Sequence, residues 1–175
     1  VSVSQSPTGK VLSVITPDAQ RSMFTFLGAS TEMAPESIRS ELFKDTAITM
    51  IEGYLLFNRD LMTTALKAAK EADSLVALDL SSFEVVNASK DILGGLVKTY
   101  VDILIANEDE AKAYTGLEDE MESIRILAED VTYSVLKMGA KGSYVSFDKK
   151  ITKIKPKKGN VSKDTTGAGD LWASG

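Results

Sequence analysis

Neither cysteine nor histidine occurs anywhere in this chain of 175 residues. The first absence removes disulfides, and the two together remove zinc sites of the Cys/His kind. Without histidine no mechanism can rest on an imidazole, so acid–base chemistry has to come from Asp, Glu, Lys or Tyr. No apolar run approaches the ~20 residues that a membrane-spanning helix needs. No secretory pattern opens the sequence, so a cytoplasmic protein with no membrane partner is expected. Positive charge is in deficit, 20 Lys and Arg against 25 Asp and Glu for a net −5. That leaves no broad footprint for nucleic acid, and the lysine-rich stretch from Lys153 to Lys163 reads as a solvated edge strand and loop. With 43% hydrophobic residues, the chain can bury one domain-sized core.

What the chain does have is concentrated near its end, in Asp164-Thr165-Thr166-Gly167-Ala168-Gly169-Asp170 followed by the apolar Leu171, Trp172 and Ala173. Gly167, Ala168 and Gly169 allow a tight turn whose N–H groups can face an anion without a side chain in the way. A helix starting there adds its unpaired amides and its dipole. Asp170 then falls in the first helical turn, beside the anion. A carboxylate next to an anion hole is what phosphoryl transfer to a hydroxyl requires: a base for the proton and donors for the growing charge. The plainer reading is a glycine-rich turn with a capping Asp. The stretch is not a Walker-type phosphate loop, because no Gly-Lys-Ser/Thr follows at the required spacing, nor a dinucleotide fingerprint, because the next glycine after Gly169 comes too late.

Upstream, Lys10 to Thr16 and Ser22 to Leu27 read as two strands joined by a turn at Pro17 to Gln20. Pro35 suits the start of a helix with Ile38, Leu42 and Phe43 at helical spacing. Strands are predicted at Ile48 to Ile51, Leu75 to Leu80, Ile103 to Ala106 and Tyr133 to Met138. Between them lie helices capped by Asn58, carrying Ile92, Leu96 and Val97, running from Glu108 to Tyr114 with Gly116 as terminator, and carrying Ile124, Leu127 and Ala128. Two further strands, Ser143 to Phe147 and Ile151 to Ile154, precede the glycine loop. Strand and helix alternating in this way predict an α/β fold with a mostly parallel sheet and helices on both faces. Ligands in such sheets bind beyond the carboxyl ends of the strands.

The residues found there carry chemistry. Asn107 and Glu110, three apart on one helical face, offer an amide and a carboxylate that could hold a hydrated Mg²⁺; equally, they could cap a helix. Gly139 and Gly142 make a tight turn where a nucleotide could approach the backbone, or an ordinary hairpin turn. Lys137, just before it, could reach a phosphate. Gly53 closes a strand at a point of close approach, or is a plain β–α turn. Asp79 ends its strand and is followed by Leu80-Ser81-Ser82-Phe83.

The stretch from Asp164 to Asp170, continued by three variable residues and the small Ser174-Gly175, resembles the C-terminal signature of the ribokinase-like (PfkB) sugar and nucleoside kinases at every position. The resemblance implies that Asp170 is the catalytic base and that the amides of Gly167, Ala168 and Gly169 form the anion hole. Asn107 and Glu110 match the Asn-x-x-Glu motif that organises Mg²⁺ and phosphate in that family. Gly139 and Gly142 match its nucleotide turn, where many members have Thr at the place of Lys137; Thr165 is likewise implied at the nucleotide. Asp164 and Thr166 match positions that serve K⁺. The hairpin resembles lid strands over the sugar site, which implies a substrate contact at Arg21, against the plainer reading of a solvated strand residue, and a homodimer formed through the lid; Gly53, at its strand end, is the other candidate substrate contact. Many members follow the Asp of the Leu75 to Leu80 strand with Asn and Arg suited to anionic substrates. Their absence here leans toward a neutral sugar or nucleoside. The wording around Thr16 to Met23 and Glu52-Gly53-Tyr54 looks most like adenosine-kinase-like members.

The resemblance therefore implies an ATP- and Mg²⁺-dependent phosphotransferase, with residues 1–30 as lid hairpin and 31–175 as the central and catalytic part of the kinase domain. Val1 in place of Met, and Gly175 only a turn or two into the last helix, read as a piece of a longer protein lacking sequence at both ends. The rival readings are a non-catalytic relative kept as a binding or regulatory module, against which the intact Asp170 argues, and a plain doubly wound nucleotide-binding domain.

Overall fold

The computed structural model describes residues 4–17, 21–157 and 165–174. The chain divides into two compact units, Val1–Ser37 together with Lys158–Gly175, and Ile38–Lys157.

In the first unit, β1 (Lys10–Ile15) and β2 (Arg21–Phe26) form the antiparallel hairpin expected from their alternation, with Lys10 opposite Phe26 and Ile15 opposite Arg21. Gly28 follows at φ +56°, where an added Cβ would lie 2.3 Å from the Pro7 carbonyl. The next residue, Ala29, donates its N–H to that same carbonyl at 2.9 Å. Only glycine fits both the conformation and the space.

The helix expected after Pro35 does not form. In its place stand two separate 3-10 turns, Pro35–Ser37 and Ser40–Phe43. Arg39, at φ −137° and ψ 149°, is extended and breaks the run. The reason lies in which residues are packed. Ile38 and Phe43 rest against the core, while Leu42 points out at 63% exposure. Anchors five residues apart do not share one helical face.

The second unit is built on a six-stranded sheet. Its strands are β3 (Ile48–Glu52), β4 (Leu75–Asp79), β5 (Ile103–Asn107), β6 (Tyr133–Lys137), β7 (Ser143–Phe147) and β8 (Lys150–Ile154), lying side by side in chain order. The pairings from β3 to β6 are parallel and those from β6 to β8 antiparallel. The parallel part is connected by helices α1 (Arg59–Glu71), α2 (Phe83–Ala88), α3 (Lys90–Tyr100), α4 (Glu108–Thr115) and α5 (Glu120–Asp130). Four of the five starts have a side-chain cause, that of α4 being Asn107. Asn58 accepts the Leu61 N–H at 3.1 Å, Ser82 accepts that of Val85, and Asp119 accepts that of Glu122 at 2.8 Å. Gly116, at φ +79°, ends α4 in the left-handed cap that its sequence position predicts. Helix α2 is not legible in the sequence; its six residues are too few to show a period.

Strands that follow one another in sheet order, joined by crossovers of one hand, place their helices on one side. The buried cluster fits that rule. Ile51, Val76, Leu78, Leu104, Ala106 and Leu136, alternate residues of their strands, pack with Leu66 and Ala69 of α1, Val85 of α2, Leu93 and Val97 of α3, and Ile124 and Leu127 of α5. The intervening residues point to the other face. There Ala77, Ile105 and Val135 are buried at the centre, while Ile48, Met50, Leu75, Tyr133, Phe147 and Ile154 are exposed around them. Tyr133 and Phe147, opposite each other in the register, stack at 4.8 Å.

One pair in the core lacks hydrogen-bond partners among the described residues. Ser134 and Ser146 face each other across β6 and β7, buried, and neither Oγ has a partner there. A buried hydroxyl without a partner carries its full desolvation cost. Ser134→Ala and Ser146→Ala are therefore expected to leave stability unchanged or raise it by up to about 1 kcal/mol each. Denaturant midpoints measure this, and a loss beyond about 1 kcal/mol would mean the hydroxyls are bonded in solution.

Candidate active site

The four parallel strands end at Glu52, Asp79, Asn107 and Lys137, and the register brings these ends together. Glu52 lies beside Asp79, Asp79 beside Ile105, and Asn107 beside Lys137. By alternation all four belong to the face opposite the helix-packed core, since Leu78, Ala106 and Leu136 next to them are core residues. Across this row Lys137 Nζ meets Asp79 Oδ2 at 2.7 Å, bridging β4 and β6 over the intervening β5. Both side chains are largely buried, at 15% and 10% exposure. The second oxygen, Asp79 Oδ1, accepts the Ser81 N–H at 3.0 Å. Ser81 sits at φ +66°, uncommon for a residue with a side chain. Its Oγ accepts the Gly53 N–H at 2.8 Å and lies 3.3 Å from Glu52 Oε2.

Asn107 and Glu110 lock onto each other. Asn107 Oδ1 accepts the Glu110 N–H at 2.9 Å. In return Glu110 accepts the Asn107 N–H on Oε2 and the Asn107 side-chain amide on Oε1, both at 2.7 Å. This is a full capping box at the start of α4. Glu110 is only 2% exposed. Burial, the dominant cause, raises its pKa to about 7. The Asn107 N–H works against that rise, and so does the Lys137 charge, while the Asp79 and Asp109 charges add to it. With both oxygens engaged and the carboxyl buried, the box does not fit direct coordination of a metal by Glu110. It fits a hydrated Mg²⁺ met through its waters, which is how that ion is commonly held. Among the described residues no cluster of three or more acidic groups suited to a metal occurs.

Two residues beyond Lys137 comes the glycine turn. Gly139 to Lys141 form a 3-10 turn, Gly142 donates its N–H to the Gly139 carbonyl at 3.1 Å, and Met138 donates to the Gly142 carbonyl at 2.8 Å. The two glycines are there for different reasons. An added Cβ at Gly142 (φ +95°) would stand 2.1 Å from the Ile154 carbonyl, whereas at Gly139 (φ +49°) nothing lies within 4 Å. Gly142 is fixed by packing; Gly139 leaves an open strand end. Lys141 ties the turn to the starts of two helices, meeting Glu108 at 2.9 Å and Glu120 at 2.8 Å.

In the other unit, the Thr165 carbonyl accepts the Ala168 N–H at 3.1 Å, closing a turn over Thr166 and Gly167, and Gly167 takes φ +73°. Helix α6 (Ala168–Ser174) follows at once, with Asp170 in its first turn. The Leu171 N–H reaches back to the Gly167 carbonyl at 2.8 Å. The Asp170 carboxylate folds over the loop, its Oδ2 lying 3.8 Å from where a Gly167 Cβ would be. Asp164 lies outside the described residues. Arg21 opens β2, and only its backbone is described. Gly53 is buried, and a Cβ there would meet the Leu80 carbonyl at 2.4 Å, so contact with the chain itself explains this glycine.

The structure thus assembles Asn107, Glu110, Lys137 and the Gly139–Gly142 turn along the carboxyl edge of one sheet. Sequence reasoning missed the Asp79–Lys137 pair, whose members are 58 residues apart. The available signal was a charged residue closing each of two otherwise apolar strands.

A parallel sheet with this edge, a separate two-stranded hairpin and the Thr165 to Asp170 loop define the ribokinase-like class of α/β proteins. The chain belongs to the pfkB family of carbohydrate kinases, whose profile matches residues 1–175. It is 29% identical over 185 residues to a ribokinase of Arabidopsis thaliana, a match covering 99% of this chain and 46% of that protein. In structure it is similar to an adenosine kinase from Sinorhizobium meliloti, with a TM-score of 0.89 and 31% identity over 97% of this chain and 53% of the other. A probable sugar kinase from Rhizobium etli gives a TM-score of 0.89 at 28% identity, covering 97% of this chain and 52% of that one. The chain therefore spans about half the length of these relatives. Among the described residues, no helix is long and apolar enough to cross a membrane.

Proposed function

We propose that this protein transfers the γ-phosphoryl group of ATP to an alcohol group of a neutral sugar or nucleoside, in the manner of adenosine- and ribokinase-like enzymes. The observation that carries the reading is the loop before α6. A tight turn with glycine at positive φ leads directly into a helix whose first turn holds Asp170, with its carboxylate folded back over the turn. A base and a set of amides are thereby fixed within one short segment.

Asp170 takes the proton of the acceptor hydroxyl as it attacks. The amides of Gly167, Ala168 and Gly169 stabilise charge on the transferring group; the Ala168 N–H, engaged by the Thr165 carbonyl, has to turn from it to do so. Asn107 and Glu110 orient the water shell of Mg²⁺; the ion, when bound, neutralises charge on the β- and γ-phosphates. Gly139 gives the nucleotide an open approach at the end of β6, and Thr165 is proposed as a further nucleotide contact. Thr166 is proposed, with Asp164, to serve K⁺. The hairpin is proposed as a lid that brings Arg21 to the acceptor. Its exposed Val11, Leu12, Phe24 and Phe26 are consistent with a surface that closes over a ligand or pairs with a second subunit. The neutral acceptor is supported by the sequence after Asp79, where Ser81 and Ser82 bring no cation.

The test is transfer of labelled phosphate from ATP to a panel of ribose, other pentoses and hexoses, adenosine and other nucleosides, with and without Mg²⁺. Acceptor- and Mg²⁺-dependent product is the expected result. Nucleotide binding without transfer to any acceptor would overturn it.

A further inference from the structure

The carboxyl edge of the sheet holds one cation among its four strand-end residues, and that cation is already occupied. Lys137 meets Asp79 at 2.7 Å, largely out of water, while the rest of the row and the start of α4 are acidic or neutral: Glu52, Asn107, Glu108, Asp109 and Glu110. A polyphosphate approaching this edge meets several carboxylates and two ammonium groups, Lys137 and, on the glycine turn, Lys141, which is already held by Glu108 and Glu120. Asp79, for its part, is held in place independently of Lys137. Its second oxygen accepts the N–H of Ser81, whose left-handed backbone is in turn braced by the Gly53 N–H on its hydroxyl. The carboxylate is thus built into the chain as a fixed seat, and the lysine, on a flexible stem, is the movable member.

Building on the kinase reading above, we propose that Asp79 is a positioning residue that acts as an internal stand-in for phosphate. It holds the Lys137 ammonium at the sheet edge, beside the open Gly139 turn, until a nucleotide phosphate replaces it as the counter-ion. A charge with two alternative partners avoids the full desolvation cost in either state, whereas an unpaired buried lysine would bear it. The geometry favours exchange over a purely structural bridge. Lys137 ends β6 two residues before the glycine turn, and the pair lies on the sheet face away from the helix-packed core, where it ties together nothing the β4–β5–β6 ladder does not already hold.

The exchange makes the two partners act on nucleotide affinity with opposite sign. A structural pair would make them act with the same sign, since losing either member disturbs the same contact. In the complete protein, binding of ATP with Mg²⁺ is measured by calorimetry at equilibrium, without acceptor, alongside thermal unfolding. Lys137→Met is expected to weaken binding about tenfold or more, the scale of one charge-assisted contact, and Lys137→Arg to keep most of it. Asp79→Asn is expected to strengthen binding severalfold while lowering the unfolding temperature, because the lysine then has no partner until phosphate arrives. The double variant Asp79→Asn/Lys137→Met removes both charges, avoids a lone buried ion, and is expected to bind like Lys137→Met alone. Weaker binding in Asp79→Asn that matches Lys137→Met, or no change in either, would overturn the proposal. Should Asp79→Asn not fold, affinity in the double variant restored to the unaltered level would overturn it equally. If the unaltered protein binds no nucleotide at all, it is the kinase reading itself that fails.

Discussion

Asp170→Asn is expected to abolish phosphoryl transfer while nucleotide binding survives. The substitution keeps the size of the side chain and its place over the Gly167 turn, but an amide cannot take a proton from an attacking hydroxyl. Loss of a general base is typically worth ~10² to 10⁴ in rate. None of the 175 residues is a histidine that could stand in. The loop itself should persist, because its geometry rests on the Thr165–Ala168 and Gly167–Leu171 backbone hydrogen bonds rather than on the carboxylate. Turnover under saturating acceptor, paired with calorimetric ATP binding, separates the two effects. Retention of most of the turnover would place the base elsewhere, and loss of binding together with turnover would mean that the variant damages the loop.

Glu110→Gln is expected to change how stability depends on pH and how much Mg²⁺ activity requires. Burial raises the Glu110 pKa to about 7, against an ordinary value of 4.5. In the window between those values the folded protein holds a proton that the unfolded chain has released. Stability from this group is therefore fully present below about pH 4.5 and lost as pH rises through about 7. A shift of that size corresponds to roughly 3 kcal/mol. The glutamine side chain cannot ionise, so this fall of stability with rising pH should disappear from the variant. At low pH the variant should be somewhat less stable, because one of the two Asn107 donors then faces an amide NH₂ instead of an oxygen. Unfolding followed from pH 4 to 9 without Mg²⁺ tests the first part. An unchanged slope between the two proteins would mean that Glu110 is not protonated in the fold. For the second part, a magnesium titration of activity at saturating acceptor should shift to higher concentration, since the variant removes a charge near the metal's water shell. An identical titration curve would confine Glu110 to helix capping.

Asn107 and Glu110 show how far the sequence could be read. Their spacing raised two uses, a cap or a metal site, and the structure shows the cap fully made. The proposed metal role now has to work through that cap rather than instead of it. The parallel strands were legible because each is a short apolar run bounded by polar residues, and the helices other than α2 because buried residues recur along one face. The segment after Pro35 misled for the opposite reason. Its apolar residues stand at nearly helical spacing, but only Ile38 and Phe43 reach the core. The Asp79–Lys137 pair was invisible because nothing in a linear chain indicates that two strand ends will lie two strands apart. Gly53 was read two ways, as a point of ligand approach or a plain β–α turn, and the neighbouring Leu80 carbonyl supplies a packing reason for the glycine that the sequence does not show.

The two rims of the sheet differ in a way that governs association. The strand β8 carries Lys150 and Lys153, with Lys155 just beyond, along an exposed border. Lysines on a border strand discourage another strand from docking there, because pairing would bring their charges against a neighbour and strip their water. The strand β3 at the far rim has no lysine, and its Ile48 and Met50 are exposed. Any lengthening of the sheet, by a strand of the same polypeptide or by another molecule, is thus steered to one side. The same asymmetry marks β3 as the point where self-association would begin during refolding. A charged residue introduced at Ile48 should suppress it, whereas one introduced along β8 should not.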